Sequence, residues 1–295
     1  TNFYRRLAFD EILASFLISS EIRKKIKKIK KKSKLFSDKS FKNIISKLSF
    51  KLTNDQIDSL LQINKDLSSK NKMFRLLQGD VGSGKTIVAL ISALNVIESG
   101  YQVAFMAPTE ILAKQHFNLA KNLYSNKINL KILTGNTDYY EKKKIHKELI
   151  SKKVDIIFGT HALFQKKINF NNLGYIIIDE QHKFGVKQRK LLSDKGGINC
   201  DVLLMSATPI PRTLIMSVYG DMDISIIKEK PKHRKEIITY SKLESKIDDV
   251  ISFVKKELNN GYQIFWVCPL IEESKKVDHE SAVKKYQYLN KIFTN

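Results

Sequence analysis

Only two cysteines, Cys200 and Cys268, occur in 295 residues, and neither sits in a CxxC pair or beside histidines at ligand spacing. That excludes a disulfide-stapled scaffold and a structural zinc site, and it suits a reducing, cytoplasmic setting. Long apolar runs are lacking too. The longest candidate, 87–97, is interrupted by Ser92 and Asn95 and falls short of the roughly 18 to 20 residues needed to cross a bilayer. We expect no secretory leader: Arg5 and Arg6 precede an apolar stretch at 12–18, but Asp10 and Glu11 interrupt the pattern and no small-residue cleavage site follows. Acidic residues are few, 30 against 52 basic ones, for a formal net charge of +22. Arginine is scarce among the basic residues, found at 5, 6, 23, 75, 189, 212 and 234. Two explanations of the lysine excess compete: a polyanionic partner, nucleic acid first, and a usage bias toward Lys, Ile and Asn that would decorate any fold.

Hydrophobic residues make up 42% of the chain, enough for one large core or two ordinary ones. The first residue is Thr rather than Met, and we expect a segment of a longer protein. Phe3, Leu7, Leu13, Phe16 and Leu17 recur at helical spacing, and Ile22, Ile26 and Ile29 continue it through a lysine run. One amphipathic helix over 3–31 is predicted. The run at 23–34 then reads as a solvated helix face, with direct phosphate contact as the competing reading. From Met73 onward, short apolar runs at 75–78, 103–106, 130–134, 155–159, 175–178 and 202–205 alternate with helical patterns. Repeated βα units of this kind predict an α/β fold with a mostly parallel sheet buried on both faces. A charged stretch at 228–235 containing Pro231 marks a boundary, followed by a helix at 245–258, a strand at 263–269 and a polar helical tail. The predicted organisation is a helical connecting segment at 1–48, an α/β domain at 49–228 and the opening of a second α/β unit at 229–295.

Gly79-Asp80-Val81-Gly82-Ser83-Gly84-Lys85-Thr86 follows a predicted strand and opens a predicted helix, the context that the GxxxxGK[ST] pattern requires. Glycines let the backbone wrap a phosphate while successive N–H groups and the helix N-terminus face the anion. Lys85 is expected to reach the β- and γ-phosphates of ATP, and Thr86 to offer its hydroxyl to Mg²⁺. The strand at 175–178 ends in Asp179-Glu180. Asp179 is expected to hold the ion through water, and Glu180 to orient and deprotonate the attacking water. Gln181 and His182 extend that string; His182 reads either as a surface histidine or as a contact that senses nucleotide state. Ser206-Ala207-Thr208 follows the strand at 202–205. Its two hydroxyls can bridge the acidic strand to whatever lies above the sheet, although such residues usually satisfy backbone groups.

Together these strings resemble the core of superfamily 2 helicases and, within it, the bacterial RecG family. The similarity runs through QGDVGSGKT (78–86), APTEILAKQH (107–116), GTHALFQ (159–165), IIDEQHKFGVKQR (177–189), SATPIPRT (206–213), YGDMDISII (219–227) and WVCPLIEES (266–274). The transcription-repair coupling factor Mfd shares GDVGxGKT, GTH and TATPIPRT, whereas Ser83, the DEQH string and WVCPLIEES favour RecG. The resemblance implies a RecA-like P-loop NTPase domain at 49–228 and the start of a second RecA-like domain at 229–295. It also implies an ATP- and Mg²⁺-dependent DNA helicase, monomeric, that acts in recombination and repair on branched double-stranded DNA such as stalled forks and Holliday junctions, and engages single strands. A nucleotide-dependent DNA-binding module without unwinding activity is the alternative. By the same resemblance Leu52, Thr53 and Gln56 form a Q motif, with the Gln56 amide reading the adenine edge. From the residues alone, Gln56 is a polar residue at a helix start with Thr53 as N-cap. Pro108, Thr109, Glu110, Thr134, Gly135, Thr160 and His161 fall just after predicted strands. The matching family segments grip nucleic-acid backbone; ordinary loop capping is the other reading. Lys183 stands where the family commonly has Arg, a change that weakens bidentate contact. In the family the catalytic arginine comes from the second RecA-like domain. Neither Arg212 nor Arg234 matches it, so these 295 residues alone are expected to bind ATP and hydrolyse it slowly.

Overall fold

In the computed structural model the described residues are 2–28, 30–34, 38–124, 128–165, 168–180, 196–208, 222–229, 237–268 and 282–293. The chain divides into two compact units, Thr1–Arg234 and Lys235–Asn295. Among the described residues, no helix is long and apolar enough to cross a membrane.

The first unit opens with helix α1 (Asn2–Lys28). It stops three residues short of the expected 31 because the backbone that follows pairs elsewhere. Lys30 forms an antiparallel bridge with Asn71, while the N–H groups of Lys31 and Lys34 donate to the carbonyls of Lys70 and Leu67. Lys31 and Lys34 also correct the expected solvated face, since both are buried. Their ammonium groups converge on the Asp201 carboxylate at 2.7 and 2.5 Å, and Asp201 accepts the Met73 N–H at 2.7 Å as well. Carbonyls of Asp66, Leu67 and Asn199 take further lysine protons. Burial lowers the pKa of Lys31 against the opposing pull of Asp201.

Helices α2 (Asp38–Ser46) and α3 (Asn54–Ser68) lead to the sheet. The start of α3 is fixed reciprocally: Thr53 Oγ1 accepts the Gln56 N–H, and Gln56 Oε1 accepts the Thr53 N–H. Alternating units then follow as β1 (Phe74–Gly79), α4 (Lys85–Glu98), β2 (Gln102–Met106), α5 (Glu110–Tyr124), β3 (Leu130–Leu133), α6 (Tyr139–Ile150), β4 (Ile156–Gly159), β5 (Leu173–Ile178), β6 (Asp201–Ser206) and β7 (Asp223–Ile227). All six pairings are parallel, in the order β3-β4-β2-β5-β6-β1-β7.

Successive side chains of a strand point to opposite faces. Val103, Phe105, Tyr175, Ile177, Leu203 and Met205 pack into one core with α3, α4 and α5, whereas Ala104, Met106, Ile176, Ile178, Val202 and Leu204 pack into another with Ile145 and Leu149 of α6. Burying a Val, Leu, Ile, Phe or Met side chain in this way stabilises the fold by about 1.5–3 kcal/mol, and strands covered on both faces must be apolar at nearly every position. Because all strands run the same way, their carboxyl ends share one edge, where crossover loops build ligand sites.

The second unit holds a 3-10 turn (Glu244–Lys246), α7 (Ile247–Asn259) and α8 (Ala282–Phe293). The expected strand at 263–269 is not formed over 263–268, and Pro269 lies outside the described residues. A strand needs a neighbour to satisfy its backbone groups, and the described part of this unit contains no strand. Phe265 and Val267 are accordingly 88% and 86% exposed.

Candidate nucleotide site and strand-end loops

β1 delivers Gly79 to the carboxyl edge and α4 departs from it at Lys85, so residues 80–84 form a loop between a buried strand and a mostly buried helix. Gly82 and Gly84 take φ of 77° and 86°, left-handed backbone that glycine adopts without cost from a β-carbon. At Gly84 a β-carbon would also meet Gln56 Nε2 at 2.3 Å. That amide donates to the Ser83 carbonyl at 2.8 Å, so α3 holds the loop from behind. Gln56 is buried, and its amide retains one N–H and one acceptor site beyond these bonds. The Val81 N–H donates to Asp80 Oδ1 at 2.8 Å and the Ser83 N–H to the Asp80 carbonyl at 3.1 Å. The Ser83 hydroxyl is buried without a hydrogen-bond partner among the described residues, a polar atom suited to a phosphate oxygen.

The Lys85 ammonium lies across the loop, donating to the carbonyls of Gly79 at 2.7 Å and Asp80 at 3.0 Å. Burial lowers its pKa, while the carboxylates of Asp179, Glu180 and Asp80 act in the opposite direction. The cation and the acidic pair thus sit in one electrostatic neighbourhood at the carboxyl edge of the sheet. The Asp179 N–H extends the ladder by donating to the Met106 carbonyl at 2.9 Å. Its Oδ1 accepts the Glu180 N–H at 3.0 Å, and its Oδ2 lies 2.8 Å from Nε2 of His116 on α5. Glu180 has a φ of 48°, a left-handed turn that costs a non-glycine residue about 1–2 kcal/mol and redirects the chain at the end of β5. The Thr86 hydroxyl and Asp179 carboxylate are hard oxygen donors of the kind Mg²⁺ takes, and these residues fit that ion. Gln181, His182 and Lys183 lie outside the described residues.

Ser206 and Thr208 bond to each other through their hydroxyls at 2.9 Å, and the Thr208 carbonyl accepts from Gln78 Nε2 at 3.2 Å. Gln78 belongs to β1, so these bonds tie the loop after β6 to the strand that carries the P-loop. Arg212 and Arg234 lie outside the described residues.

Two of the remaining strand-end loops, those after β2 and β3, are joined to each other. Pro108 is half-buried, and Thr109 Oγ1 accepts the Leu112 N–H at 3.3 Å, capping α5. The Glu110 carboxylate accepts the Asn136 N–H at 3.2 Å and Asn136 Nδ2 at 3.0 Å. These bonds, the backbone one foremost, hold the Glu110 pKa below its ordinary value. The loop after β2 is thereby fastened to the loop after β3. In that second loop the Thr134 N–H donates to Thr137 Oγ1 at 2.9 Å and Lys142 Nζ to the Gly135 carbonyl at 2.8 Å. Thr160 is buried, and His161 stands exposed at the start of a 3-10 turn (His161–Phe164). Asn136 and His116 carried no assigned role in the sequence. Their partners are distant along the chain, and only a polar residue just past a strand hinted at Asn136.

The profile of the DEAD/DEAH box helicase family matches residues 53–216. The chain is 46% identical over 293 residues to the ATP-dependent DNA helicase RecG of Aquifex aeolicus, covering 99% of this chain and 37% of that protein. With the ATP-dependent DNA helicase RecG of Thermotoga maritima the identity is 45% over 287 residues, 97% of this chain and 37% of the relative. The chain thus spans well under half the length of these relatives. Among solved structures, a RecG bound to a three-way DNA junction matches with a TM-score of 0.82 and 40% identity, over 97% of this chain and 38% of that one.

Proposed function

The chain belongs to the DEAD/DEAH box helicase family, and from that membership we propose that it is the ATP-driven motor segment of a RecG-type DNA helicase that acts on branched DNA. One observation carries the proposal: the Lys85 ammonium lies across the loop that leaves β1, and Asp179 and Glu180 follow β5, at the same carboxyl edge of the sheet that also bears the joined loops of Glu110 and Asn136. We assign 49–228 as the RecA-like motor domain, 1–48 as its connecting segment and 229–295 as the start of a second RecA-like domain.

On ATP binding, Lys85 exchanges the carbonyls of Gly79 and Asp80 for the β- and γ-phosphates, and the backbone N–H groups of 80–84 line the phosphate cradle. Thr86, through its hydroxyl, and Asp179, through water, would hold Mg²⁺, which would neutralise charge on the phosphate oxygens. Glu180 orients the attacking water and takes its proton. Gln56 uses the remaining capacity of its amide on the adenine edge and reports through Ser83 to the loop. Gln181, His182, Ser206 and Thr208 relay nucleotide state, and Pro108, Thr109, Glu110, Thr134, Gly135, Thr160 and His161 meet the DNA backbone. The relative bound to a three-way junction supports branched duplex as the substrate, with single strands engaged as it opens. The motor acts as a single copy in the cytoplasm.

The test uses the full-length protein. Unsubstituted protein should unwind a three-way junction when ATP and Mg²⁺ are supplied, and Glu180→Gln should bind ATP without unwinding. Nucleotide-dependent junction binding with no unwinding by the unsubstituted protein would replace the helicase assignment with a binding module.

A further inference from the structure

Asp179 is held from two sides. Oδ1 accepts the Glu180 N–H at 3.0 Å, and Oδ2 lies 2.8 Å from His116 Nε2. An ionised carboxylate only accepts, so His116 is the donor, and each Asp179 oxygen keeps further acceptor capacity. The carboxylate plane is thereby fixed, as residues behind a metal ligand commonly fix their ligands. His116 is itself fixed: it is buried, and its ring packs against Phe105 with centroids 4.9 Å apart.

The helix that carries His116 starts at Glu110, whose carboxylate holds Asn136 in the loop after β3. Six residues of helix separate the two side chains, about 9 Å at 1.5 Å per residue. α5 is therefore a short strut with a strand-end loop at one end and the Asp179 carboxylate near its middle. We propose that His116 is a positioning residue: it orients Asp179 toward the Mg²⁺–nucleotide site and makes that orientation depend on α5, and so on what the Glu110–Asn136 loops hold. This inference rests on the nucleotide-motor assignment above.

Two substitutions separate donation from packing. His116→Gln retains an N–H donor at similar reach, whereas His116→Phe retains a ring against Phe105 and donates nothing. The measurement is titration of a fluorescent ATP analogue into the full chain with Mg²⁺ and with EDTA, the ratio of the two affinities reporting the metal site. His116→Phe should lower that ratio about tenfold, the lower end of what residues behind a metal ligand contribute. His116→Gln should keep the ratio near the unsubstituted value, and affinity in EDTA should stay unchanged in both variants. Added duplex DNA should alter the Mg²⁺-supported affinity of the unsubstituted chain and of His116→Gln, and leave that of His116→Phe unmoved. In an Asp179→Ala background neither His116 substitution should change the ratio further, since the partner is gone. A full ratio in His116→Phe, equal losses in both variants, or an additional loss on top of Asp179→Ala would each overturn the role. An unsubstituted chain that bound no nucleotide in either buffer would overturn the motor assignment and this inference with it.

Discussion

Lys85 donates to two loop carbonyls and feels the charge of three carboxylates, so the loop itself carries the cation that phosphates require. Lys85→Ala removes a charge-assisted hydrogen bond and should weaken ATP binding by about 1.5–3 kcal/mol. Unchanged affinity in a nucleotide titration would remove the site assignment. The two thiols give a second, independent check. Burial, with Asp201 adding to it, pushes the Cys200 pKa up to about 12, so thiolate is scarce there at neutral pH and alkylation is slow. Cys268 is partly exposed. Iodoacetamide should label Cys268 well before Cys200, as peptide mapping would reveal; equal labelling would mean the sheet opens at β6. The P-loop was legible because its eight residues are contiguous and two of its glycines, Gly82 and Gly84, take left-handed backbone. His116 and Asn136 were not, because each acts on a partner 63 or 26 residues away.

At the scale of elements, the six strands read between 75 and 205 all appear: burial on both faces leaves a continuous apolar signature in most of them, and the half-buried edge strand β3 shows in the alternation of strand and helix. β7 escaped that test. Its DISII pattern places Asp223 and Ser225 on one face, and Ser225 is buried only because its hydroxyl meets Gln62 and Arg75. The strand expected at 263–269 failed for the converse reason: its residues suit a sheet, but the described second unit offers no ladder to join. The lysine run was misread in its last third, since a charge run gives no sign of a buried carboxylate 170 residues away. That clamp yields the element's prediction. Asp201→Ala would strand two buried ammonium groups and should cost about 3–5 kcal/mol in urea unfolding. Lys34→Met, which leaves Asp201 paired with Lys31, should cost distinctly less. A loss below about 1 kcal/mol for Asp201→Ala, the scale of an exposed pair, would mean that water reaches the clamp.

For the whole molecule the open question is what a net charge of +22 does. If the lysines serve nucleic acid, each phosphate they neutralise releases condensed counterions, and log affinity falls against log salt with a slope near −0.9 per phosphate on duplex DNA. Between about 50 and 200 mM salt the affinity should then drop by orders of magnitude with little dependence on sequence. If they are decoration, the slope should be shallow whatever the total charge. Position separates these outcomes, because screening confines each charge to about 8–10 Å, so only lysines beside the bound backbone enter the slope. Lys143, Lys144 and Lys147 line one cleft on α6, the helix that follows the Thr134–Gly135 loop and sends Lys142 back to the Gly135 carbonyl. Replacing those three with Gln should flatten the slope by up to about 2–3 units, measured by fluorescence anisotropy of labelled duplex across a salt series. Replacing Lys24, Lys25, Lys27 and Lys28 with Gln removes more charge and should change it less. Equal flattening by both sets would show that net charge rather than a track governs binding, and no salt dependence in the unsubstituted chain would leave the lysines as composition alone.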